Sequence, residues 1–206
     1  GYQTMTAVIN LSNSNPTTCV TYADDAVEMT AEQWDEFFGH YPVLLKDGKE
    51  VGRLDRNNYA LFEDGSLADI ESGKSGDVMI AFPRRGLKIT KSGTTTMTIS
   101  MTNDPDNPDF KYYAHQRGSV QKNVFYIGAF KGYKDGDNKL RSLSGKTPTV
   151  SITIGAARTY AQNNGSGYEQ SAFYQLLFRQ CACVMKFGSL NSQTAVGKGL
   201  VSASAK

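Results

Sequence analysis

One helix, then a long run of strands, then two helices: that order of hydrophobic periods limits this chain more than any single motif. "TAEQWDEFFGHYP" opens it. Thr30 with Gln33 three residues on forms a capping box, in which side chains satisfy backbone N–H groups orphaned at a helix start. Trp34, Phe37, Phe38 and Tyr41 recur at i, i+3, i+4 and i+7 as one apolar face, and Gly39 and Pro42 end the helix. Before it, the strand-like pieces Ala7–Leu11 and Cys19–Tyr22 flank the turn signal "SNSNP". After it, "YPVLLKDGKEVGRL" sets Asp-Gly between two apolar runs, a hairpin signal. "DVMIAFP" (Asp77–Pro83) suits a buried strand, while "GLKIT" and "TTTMTISMT" alternate apolar with polar, as half-buried strands do. "FKYYAH" and "NVFYIGAFKGY" read as aromatic-rich strands, and "NDPDNPD" and "KDGDN" as polar loops.

The helical period returns from Ile154 to Gln162, stops at "NNGSG", and resumes from Ser171 to about Lys186; "GSLNSQTAVGKG" closes the chain with turns, alone or with a final strand. No internal repeat and no regular βαβ alternation interrupt this order. It predicts an α+β chain with a largely antiparallel sheet and a few helices.

At 206 residues the chain suits one compact domain, or one with a small appended layer. Hydrophobic residues at 39% and charged residues at 20% exclude disordered and fibrous classes. With 22 Lys+Arg against 20 Asp+Glu, the net charge of +2 gives no general pull towards nucleic acid or a membrane surface. The odd cysteine count (Cys19, Cys181, Cys183) excludes a complete intramolecular disulfide framework. All three read as free thiols packed as small apolar residues, which fits assembly in a reducing cytosol. No stretch approaches the roughly 18 apolar residues of a membrane span. The N-terminus lacks the basic start and apolar stretch of a signal peptide. "GYQT" ahead of Met5 reads as an appended scar or a cut from a longer chain.

Chemical motifs fail one by one. "SGKSG" (Ser72–Gly76) ends like a phosphate-binding loop, but Ala68 stands where that loop needs its first glycine. "GSGYEQ" starts like a dinucleotide fingerprint, but Gln170 takes the third glycine position. His40 and His115 have no metal-ligand spacing to each other or to the cysteines and read as structural. No Gly-x-Ser-x-Gly elbow occurs. Two acidic loops, Asp104/Asp106/Asn107/Asp109 and Asp135/Asp137/Asn138, offer oxygens without the calcium-loop pattern and read as turns. The expectation is no catalytic residue, no metal and no cofactor.

"ARTYAQNNGSGYEQSAFYQLLFRQ" followed by "LNSQTAVGKG" resembles the ligand-binding tips of phage tail fibres and the variable proteins of diversity-generating retroelements. "VFYIGAFKGY", "LRSLSGKTPT", "YPVLLKDGKEVGRLDRNNYALFEDG" and "DVMIAFPRRGLKIT" resemble upstream parts of phage structural proteins. The resemblance implies a C-type-lectin-like fold of the formylglycine-generating-enzyme type. It divides the chain into an N-terminal strand segment, 1–23, continuing from a longer fibre chain, and a ligand-binding domain, 24–206. Gly165, Gly167, Asn191, Gln193 and Gly197 match the framework, and Tyr168, Glu169, Gln170, Phe173, Tyr174 and Arg179 fall in the display segment. Aromatics there offer large contact area at low entropy cost, and amides offer adaptable hydrogen bonds. The competing reading puts the helical stripe in the core, with Leu176, Leu177 and Val184 its firmest core positions.

The function so implied is recognition of a bacterial host-surface receptor, protein or glycan, without turnover. It comes with a homotrimer, no nucleic-acid partner, no membrane insertion, and a location on the virion (assembled in the bacterial cytoplasm) or on a cell surface. A copper-dependent oxidase shares that fold, but its paired cysteines lie in a motif that Cys181 and Cys183 do not reproduce. The alternative is a structural fibre domain whose loops only assemble a trimer.

Overall fold

Period-two burial builds the first sheet. Along β1 (Thr4–Asn10) Met5, Ala7 and Ile9 are buried, and the residues between them are not. β1 pairs antiparallel with β2 (Val20–Ala23) and with β7 (Thr96–Thr102), and β6 (Gly86–Ser92) completes the order β2-β1-β7-β6. β6 was expected to be half-buried, yet it is exposed from Lys88 onward. It is an edge strand, and lysines on an edge discourage pairing with a further chain. The structure is a computed structural model that describes residues 1–23, 26, 28–150, 153–165 and 173–191.

Two compact units divide the chain: Gly1–Gly39 with Arg84–Asn123 and Ala172–Lys206, and His40–Pro83 with Val124–Ser171. The first holds that sheet with α1 (Ala31–Phe38) and α3 (Phe173–Phe187). α1 starts as the capping box dictates: the Thr30 hydroxyl accepts from the Gln33 N–H at 3.2 Å, and the Gln33 side chain accepts from the Thr30 N–H at 2.8 Å. Its buried face is Trp34, Phe37 and Phe38, whose ring centroids stand 5.2 to 5.8 Å apart.

The second unit is a sheet of order β10-β5-β3-β4. β3 (Tyr41–Lys46) and β4 (Lys49–Arg53) form the expected hairpin, with Asp47 at φ 51° and Gly48 at φ 75°. Two successive positive φ values match the right-handed twist of the strands, which is why Asp-Gly sits there. Pro42 to Leu45 are buried without alternation, because β3 is an inner strand between β4 and β5 (Asp77–Pro83). β10 (Val124–Gly128) pairs with the far side of β5. A small hairpin, β11 (Tyr133–Lys134) and β12 (Leu140–Arg141), frames the Asp135–Lys139 turn, and α2 (Ile154–Gln162) follows, capped by the Thr153 hydroxyl. Among the described residues every ladder is antiparallel, and no helix is long and apolar enough to cross a membrane.

"FKYYAH" is not a strand. Tyr113–His115 forms a 3-10 turn, leading into the two-residue strands β8 (Gln116–Arg117) and β9 (Val120–Gln121). The Tyr112 hydroxyl donates to the Asp104 carbonyl at 2.7 Å and accepts from the Asn107 N–H at 2.8 Å. That ties the segment back to the preceding loop instead of extending it. "NVFYIGAFKGY" is not one strand: β10 ends at Gly128, the Phe130 N–H turns to the Ser142 hydroxyl, and Tyr133 pairs again in β11.

One polar cluster closes the second unit. Asp77 is buried at the start of β5, and its Oδ1 accepts from Arg141 Nε and from the Ser142 N–H, both at 2.9 Å. Arg141 Nη2 also donates to the Gly73 carbonyl at 2.8 Å, and Nη1 stands 3.5 Å from Asp135. Burial pushes the Asp77 carboxyl up, more than the Ser142 N–H and Arg141 pull it down. At Arg141 burial opposes the charge, but Asp77 and Asp135 together outweigh it and raise its pKa, since one guanidinium serves two carboxylates. A carboxyl raised above its unfolded value costs stability as pH climbs through that raised value. Arg141→Met removes the partner from a buried carboxylate and should lose about 3 kcal/mol at neutral pH. Part of that loss should return on acidification, as Asp77 takes up its proton. Urea melts of both proteins between pH 4 and 8 check this; parallel pH profiles would show that the pair does not stabilise the fold.

Candidate functional site

The α3 sequence, "FYQLLFRQCACVMKF", is apolar on more than one side, so packing chooses which side is buried. The buried positions are Gln175, Phe178, Cys181 and Met185. Leu176, Leu177 and Val184, the expected core positions, are not among them: Leu176 is 43% exposed, and the other two are half-buried. Two stripes one residue out of step are both apolar here, and contacts elsewhere in the unit select between them. The Phe178 ring meets the buried His115 ring edge to face at 5.5 Å. Lys186 pairs with Asp35 of α1 at 2.6 Å, and the Tyr22 hydroxyl donates to the Met185 carbonyl at 2.7 Å. Gly188 ends the helix at φ 60°, with the Tyr22 ring so close that a Cβ would stand 2.7 Å from its hydroxyl.

The opposite side of α3 is left to solvent. Phe173 on that side is 70% exposed; Tyr174 lies in the row of Phe178 and Cys181 but at the first turn is still 48% exposed, and its ring touches that of Phe173 at a centroid separation of 5.5 Å. Gln180 and Cys183 continue the exposed side. Tyr174 also meets Tyr113, 47% exposed, at 5.0 Å. Arg179 is half-buried, and at about 100° of turn per residue it lies about 140° around the helix from Tyr174, on the other flank. The shorter arc between them crosses the buried Gln175 and Phe178, so the two do not share one exposed face. Tyr168, Glu169 and Gln170 lie outside the described residues, as do Gly167, Gln193 and Gly197. Of the framework positions, Gly165 has φ 128° and its N–H donates to Gln162, and the Asn191 N–H donates to the Ser189 hydroxyl.

Tyr113 was missed because its segment was read as a strand. The available signal was the adjacent pair Tyr112-Tyr113 behind a loop rich in proline and Asx residues. Tyr112 spends its hydroxyl on that loop, and Tyr113 projects beside α3.

The remaining chemical candidates are accounted for locally. Ser72–Gly76 is a turn, held by the Asp69 carboxylate and by Arg141 on the Gly73 carbonyl. In the acidic loops, Asp104, Asn107 and Asp135 turn carboxylate or amide oxygens onto their own backbone, and Arg84 pairs with Asp106 at 3.3 Å. His40 stacks on Phe82 at 5.9 Å. Among the described residues no group of three or more His, Cys, Asp or Glu converges. All three cysteines are free; Cys19 and Cys181 are buried, but Cys183 is exposed rather than packed. Burial pushes the Cys181 thiol up to about 11. No protein-family model matches this chain, and no curated protein or solved structure is significantly similar to it.

Two measurements check the helix setting. Phe173→Ala and Tyr174→Ala should shift stability by about 0.5 kcal/mol or less, as exposed substitutions do. Phe178→Ala should lose about 3–5 kcal/mol, as buried aromatics do; the reverse order in thermal melts would mean that the other stripe is buried. In the native protein a maleimide should modify Cys183 well before Cys19 and Cys181, because the thiolate reacts and needs access. Labelling at Cys181 first, read by peptide mass, would contradict the burial pattern.

Proposed function

We propose that this chain is a receptor-binding module, a phage tail-fibre tip or a retroelement-diversified adhesin, that holds a bacterial surface molecule without turning it over. The observation that carries the reading is the aromatic group Phe173, Tyr174 and Tyr113, exposed and in contact at the first turn of α3. Exposed aromatics in contact with one another forgo burial that the fold could use, and rigid, amphipathic rings are what binding surfaces employ. The display-segment resemblance falls on the same helix. The wholly antiparallel ladders and the helix–strands–helices order support a C-type-lectin-like architecture as part of the same proposal.

In this reading the receptor is a host-surface protein or glycan, the assembled form is a homotrimer on a virion or a cell surface, and cyclic symmetry multiplies weak single-site contacts. Tyr174→Ala should cost about 1–2 kcal/mol of host binding, as an aromatic anchor does, while its melting temperature stays near that of the parent. Binding of labelled protein to a panel of candidate host bacteria measures it. If the parent binds no host while remaining trimeric, the chain is instead a structural fibre domain that only assembles.

A further inference from the structure

Where β1 begins, β7 ends and α1 starts, the first unit holds an open cavity of about 390 Å³. Its lining comes from three stretches far apart in sequence: Gly1 and Gln3, then Met29, Gln33, Glu36 and Phe37, then Asn103. Gln33, Glu36 and Phe37 stand at i, i+3 and i+4 of α1, so one helix face presents them together. Two of the lining amides are held in a fixed sense. The Gln33 side-chain oxygen accepts from the Thr30 N–H at 2.8 Å, and the Asn103 side-chain oxygen accepts from the Gln3 N–H at 2.7 Å. Each amide thereby spends its acceptor on the backbone, which settles which end is oxygen and leaves the NH2 as the end still to be used. Glu36 is exposed and adds a carboxylate that only accepts. Gln3 adds a third amide, and Met29 and the otherwise buried Phe37 supply the apolar part of the wall.

We infer that this cavity binds a neutral saccharide; it shares no residue with the aromatic surface and does not depend on the host-recognition reading. A sugar hydroxyl both accepts and donates. It can therefore accept from an amide NH2 and donate to the Glu36 carboxylate, and a bond to an ionised acceptor is the stronger kind. Neighbouring hydroxyls on one ring repeat the pairing, and the C–H groups between them meet Met29 and Phe37. The volume lies in the range of small-ligand sites. An apolar ligand would strand the amide hydrogens without acceptors. An anion would meet Glu36, and a cation would turn its own hydrogens towards those of the amides. A peptide offers carbonyls and N–H groups in the same roles and is the competitor that the test must remove. Peptides dock on open strand edges or in apolar side-chain pockets. Gln3 has no backbone group to spare, since its N–H goes to Asn103 and its carbonyl accepts from the Asn103 N–H and the Thr102 hydroxyl.

The full chain is applied to an array of neutral mono- and oligosaccharides, their acidic counterparts, and glycine–alanine peptides. At least one neutral saccharide should bind, more tightly than its acidic counterpart and than the peptides. Its affinity should change little between about 50 and 200 mM salt, because no net charge is neutralised. Gln33→Glu and Asn103→Asp keep the oxygen that each backbone N–H uses and remove only the NH2, and a carboxylate at position 33 still completes the capping box. Each should weaken saccharide binding about tenfold, as should Glu36→Gln, while all three melting temperatures stay near the parent's. In the isotopically labelled parent, the side-chain NH2 signals of Gln33 and Asn103 should shift as the saccharide is added, which reads the contact without any variant. No neutral saccharide bound, equal binding of acidic saccharides or peptides, unmoved NH2 signals, or unchanged affinity in all three variants overturns the inference. Each of those results leaves the host-binding reading of the aromatic surface where it stood.

Discussion

The rotational setting of α3 about its own axis decides what this surface can do, and two polar contacts hold it. The Tyr22 hydroxyl reaches the Met185 carbonyl, and Lys186 reaches Asp35 of α1. Both act at the C-terminal end of the helix, where carbonyls lack intrahelical partners and a cation is favoured. With that end fixed, Phe178, Cys181 and Met185 have to point inward, and Phe173, Leu176 and Gln180 have to point out. The Ser189 hydroxyl and the Leu190 N–H, both donating to the Pro16 carbonyl, tie the helix exit to the β1–β2 connection. A helix anchored at one end leaves its first turn free to carry rings that the core does not need.

The second unit reaches order by a different route. Leu44, Leu54 and Val78 make its apolar centre, with Tyr59, Phe62, Ile70 and Phe130 packed against them. The long segment between β4 and β5 has little regular structure, and short polar side chains turn it: Asp55, Asn58, Asp64 and Asp69 each accept from backbone N–H groups two or three residues on. Arg141 then joins that segment, β5 and the β11–β12 turn through Gly73, Asp77 and Asp135. A buried cluster of this kind contributes less to net stability than its bond count suggests, because desolvation offsets much of the attraction. Its value lies in geometry. Only one arrangement of the three segments satisfies the guanidinium, which restricts how the loop can close.

The proposed reading rests on what the first unit leaves uncovered. An exposed phenylalanine and two exposed tyrosines in mutual contact do little for folding, and they meet only because a 3-10 turn distant in sequence comes up against the first turn of α3.

Local patterns were legible wherever local chemistry alone sets the backbone. The capping box at Thr30, the Asp47-Gly48 turn, the Asp77–Pro83 strand and the Ile154–Gln162 helix follow from hydrogen bonds and φ preferences within a few residues, and the antiparallel α+β class follows from their order. Phe173 and Tyr174 stand as display candidates through the resemblance alone, and the side of α3 that is buried was not legible. Leu176 and Leu177 look as apolar as Phe178 and Met185, and the choice between the stripes rests on Tyr22, Asp35 and His115, all far away in sequence. Tyr113 could not be placed beside Tyr174 for the same reason. The exposure of β6 likewise depended on its being an edge, which strand pairing decides and alternation does not. Hydrophobic period says that a face exists, but only the partners brought to it by the folded chain say whether that face is covered.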